Sequence, residues 1–507
     1  MLKKRDLVQL DNLGIDPAQV QAQLGFFERE LSLLNVLRPA TLGDGILSPE
    51  PAQFGQWVKA YDHAKDALQV VKFVPASGAA TRMFGFLYAF LDHFDPEHHK
   101  LNDYLSQPEH EAVARFYNGL NEFPFTSLIR AYIRQHHPEF KTWTKERRFY
   151  TMVSVLVSES GLNFGALPKG LIPFHRYKKN VLTAFEEQLY EAAFYAAVHD
   201  EVYTHFTFSP GHLDLFKDEF NRIKTRLERR TKCTFNIAYS FQKDRTKTIT
   251  VDPRNVPFRD ASGALVFRPS GHGALLENLN DIDADIVFIK NIDNVMVREG
   301  VLEMATEKKA LAGHLLELQK QVYGFLTAIE ETPDQVHLDE INSFLWRSFG
   351  VRELPKTLDE AFNYLYRPIR VCGVVANTGA PGGGPFWLQD EKGTSLQILE
   401  SAQFDSSNPS QMDIMAKATH FNPVDLVCGL RDHHGKPYDL MSFCNPELSF
   451  IANKSFEGKP IKALELPGLW NGSMAGWNTV FVSVSIGTFN PVKTVNDLLA
   501  KAHQPLI

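Results

Sequence analysis

Apolar residues recur at three- and four-residue spacings through "PAQVQAQLGFFERELSLLNVL" (17–37), so the first 70 residues read as helices. "LQVVKFVPASG" (68–78) is instead a short continuous apolar run closed by small residues, the pattern of a buried strand ending in a turn. From about 86 to 160 the period is helical again, as in "HEAVARFYNGLNEF" and "FTSLIRAYIRQHH", and this block reads as an insertion. Beyond 160, helical stretches (180–200, 213–230) alternate with strand-like ones, "VYTHFTFS", "FNIAYSFQ" and "ADIVFIKNID". Such alternation predicts an open α/β sheet with helices on both faces. A long amphipathic helix over Leu302 to Glu331 and further helix to Tyr366 precede another strand, "IRVCGVVAN". The stretch 477–501 predicts a strand, a turn containing Pro491 and a final helix.

Composition narrows the class of protein. The chain has 507 residues, 44% hydrophobic and 22% charged, which suits a globular protein with a large core. Its four cysteines, Cys233, Cys372, Cys428 and Cys444, form no CxxC pair, so a reducing cytoplasm is the expected location. The N-terminus lacks the apolar core of a signal peptide, and no run reaches 18 apolar residues, so neither secretion nor membrane spanning is expected. A net charge of -7 argues against a nucleic-acid-coating surface but allows a local basic pocket for a phosphorylated small molecule.

One stretch suggests such a pocket. In "KFVPASGAATRMF" (Lys72 to Phe84) a strand turns on Ser77, Gly78, Ala79 and Ala80 and delivers Thr81 and Arg82 to a helix start. Backbone N–H groups exposed at such a turn, with small residues that let the main chain approach, favour a phosphate. The segment is neither a Walker loop nor a GxGxxG fingerprint. Arg82 could fork onto phosphate oxygens; a solvated arginine on an ordinary turn is the other reading.

Taken with Pro168-Lys169 in "LPKGLIPFH", the turn resembles the two halves of the sugar-nucleotide pyrophosphorylase signature, a Gly-rich loop ending in Thr-Arg followed by Pro-Lys. Family members keep the halves about ten residues apart; here they stand 87 apart (169 minus 82), and Ser77 and Ala80 replace usual glycines. Three further segments resemble the uridylyl-transferring branch, the UDP-glucose, UDP-sugar and UDP-N-acetylhexosamine pyrophosphorylases. They are "FRPSGHGALLENL" (267–279), "VFIKNIDNVM" (287–296) and "FNPVKTVNDLL" (489–499), in the family's order. "VCGVVANTGAPGGGPFW" and "LQILESAQFD" add a likeness to an uncharacterised bacterial family of unknown function within that superfamily.

The resemblance implies a three-layer α/β/α nucleotidyltransferase fold of the GT-A-like type with a mixed central sheet. Residues 1–70 would be a helical N-terminal region, 71–370 a nucleotide-binding core with the insertion, and 371–507 the sugar-side and C-terminal part without a β-helical tail. It further implies a Mg²⁺-dependent enzyme that forms a nucleotide sugar and pyrophosphate from a nucleoside triphosphate, UTP being expected, and a sugar 1-phosphate. By resemblance, Arg82, Lys169 and Lys493 neutralise phosphate charge and Asp293 holds the Mg²⁺. Ser77, Gly78, Ala79, Ala80, Thr81, Gln242, Gly271, His272 and Gly273 would face the nucleotide, and Asn377, Gly382, Gly383, Gly384 and Glu400 the sugar. Gln242, His272 and the glycine loop are equally open to structural roles. A glycosyltransferase consuming a nucleotide sugar, or a non-catalytic nucleotide-binding protein, would share the fold. Two other clusters read as bland: the acidic turn Asp281, Asp283, Asp285, and "CGLRDHHGKPYDLMSFC", whose Cys428, Asp432, His433, His434 and Cys444 fit no zinc spacing.

Overall fold

A computed structural model describes residues 2–28, 34–76, 78, 80–178, 180–379, 382–390, 393–421 and 425–506. The chain is a mixed α/β protein whose strands and helices alternate, and it divides into two compact units, each assembled from separated segments.

The first unit comprises Met1–Phe73, Ser240–Ile289 and Glu307–Ile486. Its centre is a mixed sheet. Strand Ile286–Ile289 pairs parallel with the start of strand Val70–Pro75 and antiparallel with Asp425–Gly429. Asp425–Gly429 pairs antiparallel with Ile369–Val374, which runs parallel to Asn478–Ser483. Ile286–Ile289, Ile369–Val374 and Asp425–Gly429 are buried along their whole length, which is why they carry apolar residues on both faces rather than alternating, with Arg370 and Asp425 the buried exceptions. Phe73, Val287, Cys372, Cys428 and Phe481 from these strands join Leu275, Leu276 and Leu279 in one core. The helix Val301–Glu331, slightly longer than predicted, contributes Leu311, Leu315 and Leu318 as buried residues.

The second unit comprises Val74–Tyr239, Lys290–Thr306 and Gly487–Ile507. Here the block predicted as helical is helical: Gly85–His93, Leu101–Leu105, Glu111–Asn118, Thr126–His136 and Lys145–Val157. Phe90, Phe116 and Phe149 from these helices, with Phe84, Phe123 and Phe125 from the turns beside them, form a core that also takes in Ile172, Phe174, Val492, Val495 and Leu498. Burying each such ring contributes roughly 1.5–3 kcal/mol, so the insertion carries a substantial core of its own. Glu201–Phe208 and helix Leu213–Thr231 follow as predicted.

Four expectations are corrected. The first 70 residues are not all helix: Asn35–Pro39 is a strand that pairs antiparallel with Gly384–Asp390. The helix predicted from 180 starts at Ala184, because Asn180–Thr183 pairs antiparallel with Pro173–Tyr177 and Thr183 then caps the helix, its hydroxyl accepting from the Glu186 N–H at 3.2 Å. After the Val70–Pro75 strand the chain makes a 3-10 turn over Ala80–Phe84, and the α-helix begins only at Gly85. The final α-helix is two 3-10 turns, Val495–Leu499 and Lys501–His503, broken at the extended Ala500. That break lets His503 turn inward and bury.

Candidate functional site

Three of the singled-out charges meet in the second unit. The Lys169 ammonium donates to Asp293 Oδ2 at 2.8 Å, and the Lys493 ammonium lies 3.6 Å from the same oxygen. Asp293 is buried, with its side chain 8% exposed, whereas Lys493 is 67% exposed and free to reach outward. Burial opposes the charge on Asp293, but the two ammoniums, Lys169 above all, outweigh it and hold the carboxyl below its ordinary range.

Backbone contacts explain how residues so far apart in sequence arrive together. The Ala80 N–H donates to the Leu167 carbonyl at 2.9 Å, and the Lys169 N–H donates to the Gly78 carbonyl at 3.2 Å. The Thr81 hydroxyl donates to the Gly165 carbonyl at 2.9 Å. The two halves of the signature are thus laced side by side, and the helical block leaves and re-enters through this neck. Arg82, on the same 3-10 turn, is exposed and pairs with no carboxylate among the described residues. Ser77 and Ala79 lie outside the described residues.

Asp293 and Lys493 are set by a second pair of segments. The Val492 N–H donates to the Asp293 carbonyl at 3.2 Å, and the Asn490 N–H donates to Asn294 Oδ1 at 2.8 Å. Lys493 therefore follows directly on the residue that clasps Asp293. The Asp497 carboxylate accepts from the Lys493 and Thr494 N–H groups at 2.8 and 2.7 Å, which fixes the backbone at that lysine. From below, the insertion holds this segment: Asn496 Nδ2 donates to the Ala112 carbonyl at 2.8 Å.

Pattern reading placed a helix here but missed the buried polar side chains through which it holds the Asp293 loop. Ala184–Tyr195, "AFEEQLYEAAFY", buries Glu186, Glu187, Gln188 and Glu191. Gln188 Nε2 donates to the carbonyls of Asn291 and Ile292 at 2.8 and 3.3 Å, clamping the turn that presents Asp293. Glu191 pairs with buried Lys290 at 2.9 Å, one residue past the Ile286–Ile289 strand. Glu187 accepts from His175 Nδ1 at 2.8 Å, His175 Nε2 meets His503 Nδ1 at 2.9 Å, and His503 Nε2 donates to the Asn490 carbonyl at 3.1 Å. The sequence signal was there: three glutamates on a helix that must also bury Phe185, Leu189 and Ala192 cannot all face water.

The remaining singled-out residues belong to the first unit. Gln242 Nε2 donates to the Thr246 hydroxyl at 3.3 Å. His272 Nδ1 accepts from the Leu469 N–H at 2.8 Å, its ring stacks on Trp470 with centroids 4.4 Å apart, and burial pushes its pKa down to about 4. Gly271 has φ +79°, and a Cβ on Gly273 would stand 2.0 Å from the Pro467 carbonyl oxygen. Asn377 is exposed, and its Oδ1 accepts from the Gly379 N–H at 2.9 Å. Crowding accounts for the glycines after it: a Cβ would meet the Phe421 ring from Gly382, the Leu399 carbonyl oxygen at 1.7 Å from Gly383, and the His420 carbonyl oxygen at 2.7 Å from Gly384. Glu400 is half-buried and caps the short turn Ser401–Gln403. Asp281 pairs with Lys243, and Asp283 and Asp285 with Arg431, so these acids already have cations.

A family model described as a domain of unknown function, DUF4301, matches residues 3–504. The chain belongs to the DUF4301 family. No curated protein matches it. Among solved structures, this DUF4301 chain is similar to the UDP-glucose pyrophosphorylase of Leishmania major, at 13% identity and TM-score 0.44, over 99% of this chain and 79% of that one. It is similar also to the uridine diphosphate N-acetylglucosamine pyrophosphorylase of Trypanosoma brucei, at 10% identity and TM-score 0.48, over 98% and 79% of the two chains. Among its described residues, no helix is long and apolar enough to cross a membrane.

Proposed function

We propose that this DUF4301 chain is a nucleotidyltransferase that forms a nucleotide sugar and pyrophosphate from UTP and a sugar 1-phosphate. The observation that carries the reading is the junction of Lys169 and Lys493 on one buried carboxylate, Asp293, beside the neck that bears Arg82. In the reaction a sugar 1-phosphate oxygen attacks the α-phosphorus of the triphosphate and pyrophosphate leaves in line. The attacking oxygen is already ionised, so positioning and charge neutralisation do almost all the work.

Each residue has a part in that task. Lys493, largely exposed, would clamp the incoming phosphates. Lys169 would shift from Asp293 to phosphate oxygens as these enter. Arg82, exposed on its turn, would meet charge gathering on the departing pyrophosphate. Asp293 suits Mg²⁺: it is a hard oxygen donor kept ionised by its neighbours, and this ion commonly takes one or two carboxylates with the rest of its shell from phosphates and water. Bound there, Mg²⁺ would neutralise phosphate charge. The Gly78 and Thr81 backbone N–H groups would add donors for the triphosphate.

The test is a phosphate-release screen of nucleoside triphosphates against sugar 1-phosphates, with pyrophosphatase and Mg²⁺. Release with UTP and at least one sugar 1-phosphate is expected. Silence across every UTP pair overturns the proposal.

A further inference from the structure

A second cluster of ligand-type side chains lies wholly within the first unit. Glu330 stands one residue before the end of the helix Val301–Glu331, and His433 and His434 stand in the turn that follows strand Asp425–Gly429. His433 Nε2 is 3.0 Å and His434 Nε2 3.1 Å from the same Glu330 oxygen, Oε2. All three ligand atoms fall within 4.8 Å of one another. The cysteines of the same stretch are not among them.

We propose that Glu330, His433 and His434 bind a divalent transition-metal ion, zinc foremost, and that the ion ties the end of the long helix to this turn. Donor spacing agrees with the proposal: bonds of about 2.0–2.2 Å to a tetrahedral ion set its donors roughly 3.3–3.5 Å apart, within a few tenths of an ångström of the two distances seen. Two imidazoles and one carboxylate are a borderline donor set that suits zinc and disfavours magnesium or calcium, which take oxygen ligands. Three protein ligands leave a fourth position, and Glu330 and His434, 36% and 53% exposed, leave it open to water.

The site is also held in advance. The His433 side chain is 1% exposed, with its ring edge-on to Phe362 and Tyr366 at 6.3 and 6.2 Å. Asp432 Oδ1 accepts from the N–H groups of His434 and Lys436, each at 2.9 Å, and Gly435 closes the turn at φ +75°. Both rings therefore face the helix end without a ligand to arrange them. Helix polarity acts in the same direction. A carboxylate at a helix C-terminus meets the negative end of the macrodipole, and a cation bound there relieves it.

The full chain, stripped of metal with chelator, would be titrated with zinc sulfate by calorimetry and assayed for bound metal after dialysis. One zinc per chain and a rise in unfolding temperature on loading are expected. Glu330→Gln and His434→Ala change partly exposed side chains, so they should fold, and each should weaken zinc binding by more than about 100-fold, since even groups that only orient a ligand are worth 10–100-fold. No zinc uptake by the unaltered chain overturns the proposal. So does uptake of equal affinity in both variants, which would place the ion on the cysteines or elsewhere.

Discussion

Lys169 and Asp293, 124 positions apart, are joined by a 2.8 Å ammonium–carboxylate hydrogen bond, and Lys493 reaches the same oxygen from a third segment. The two lysines differ in burial, and that difference separates stability from activity. Lys169 is 17% exposed and Lys493 67%. Lys169→Met should therefore destabilise the protein by about 1–3 kcal/mol, because it strands a buried carboxylate. Lys493→Met should leave stability nearly unchanged. Both should cut nucleotide-sugar formation by a factor of ten or more. Denaturant melts alongside the pyrophosphate assay check this; equal destabilisation by the two would count against the pairing described.

Arg82→Ala should remove all but about 1% of the activity, the scale of losing one oriented charge donor. Because Arg82 is exposed and pairs with no carboxylate among the described residues, the unfolding free energy should move by no more than about 0.5 kcal/mol. A fall in stability to match the lost turnover would show that Arg82 is structural.

Gln188→Leu should act at a distance. It takes the donor from the Asn291 and Ile292 carbonyls and costs about 1–3 kcal/mol. It should also weaken Mg²⁺ dependence, because the turn presenting Asp293 loosens. Mg²⁺ titration of activity reads this out, and an unchanged titration curve would leave Gln188 no positioning role.

Acid should destabilise the fold before it protonates carboxylates. Burial, and then nearby His175, push His503 down to about 3, and burial pushes His272 down to about 4. Both lie below the ordinary value of about 6.5, so the unfolded chain binds more protons. Their contribution is fully present above pH ~6.5 and is lost as pH falls towards the folded values, each histidine adding a slope of about 1.4 kcal/mol per pH unit. Denaturation midpoints between pH 5 and 7.5 test it; a flat profile contradicts it.

Gly383→Ala should cost about 1–3 kcal/mol with no ligand present, since the new methyl would meet the Leu399 carbonyl oxygen at 1.7 Å. A variant of normal stability but altered sugar affinity would instead return this glycine to a ligand-facing role.

Sequence pattern was enough for the strands Val70–Pro75, Ile286–Ile289 and Ile369–Val374, because largely buried strands show as mainly apolar runs even where Lys72 and Arg370 interrupt them. Asp293 and Lys493 were legible because each follows a recognisable segment. The lacing of Gly78–Thr81 to Gly165–Lys169 was not, since backbone hydrogen bonds leave no residue-type signature. Glu186, Glu187 and Glu191 were half legible. Their helix is too apolar to turn all three to water, but the partners Arg226, His175 and Lys290 come from other segments, and only the fold brings them there. The His433–His434 pair lacked its third member until the long helix brought Glu330 beside it.

The neck at Ala80–Leu167 and Lys169–Gly78 bears on ancestry. A chain that departs and returns across a sealed pair of peptide groups can acquire an excursion of any length without shifting the register on either side. Deleting that excursion is another matter, for it would bare Val492, Val495 and Leu498 to water, so a shorter relative must roof its tail with some other apolar surface.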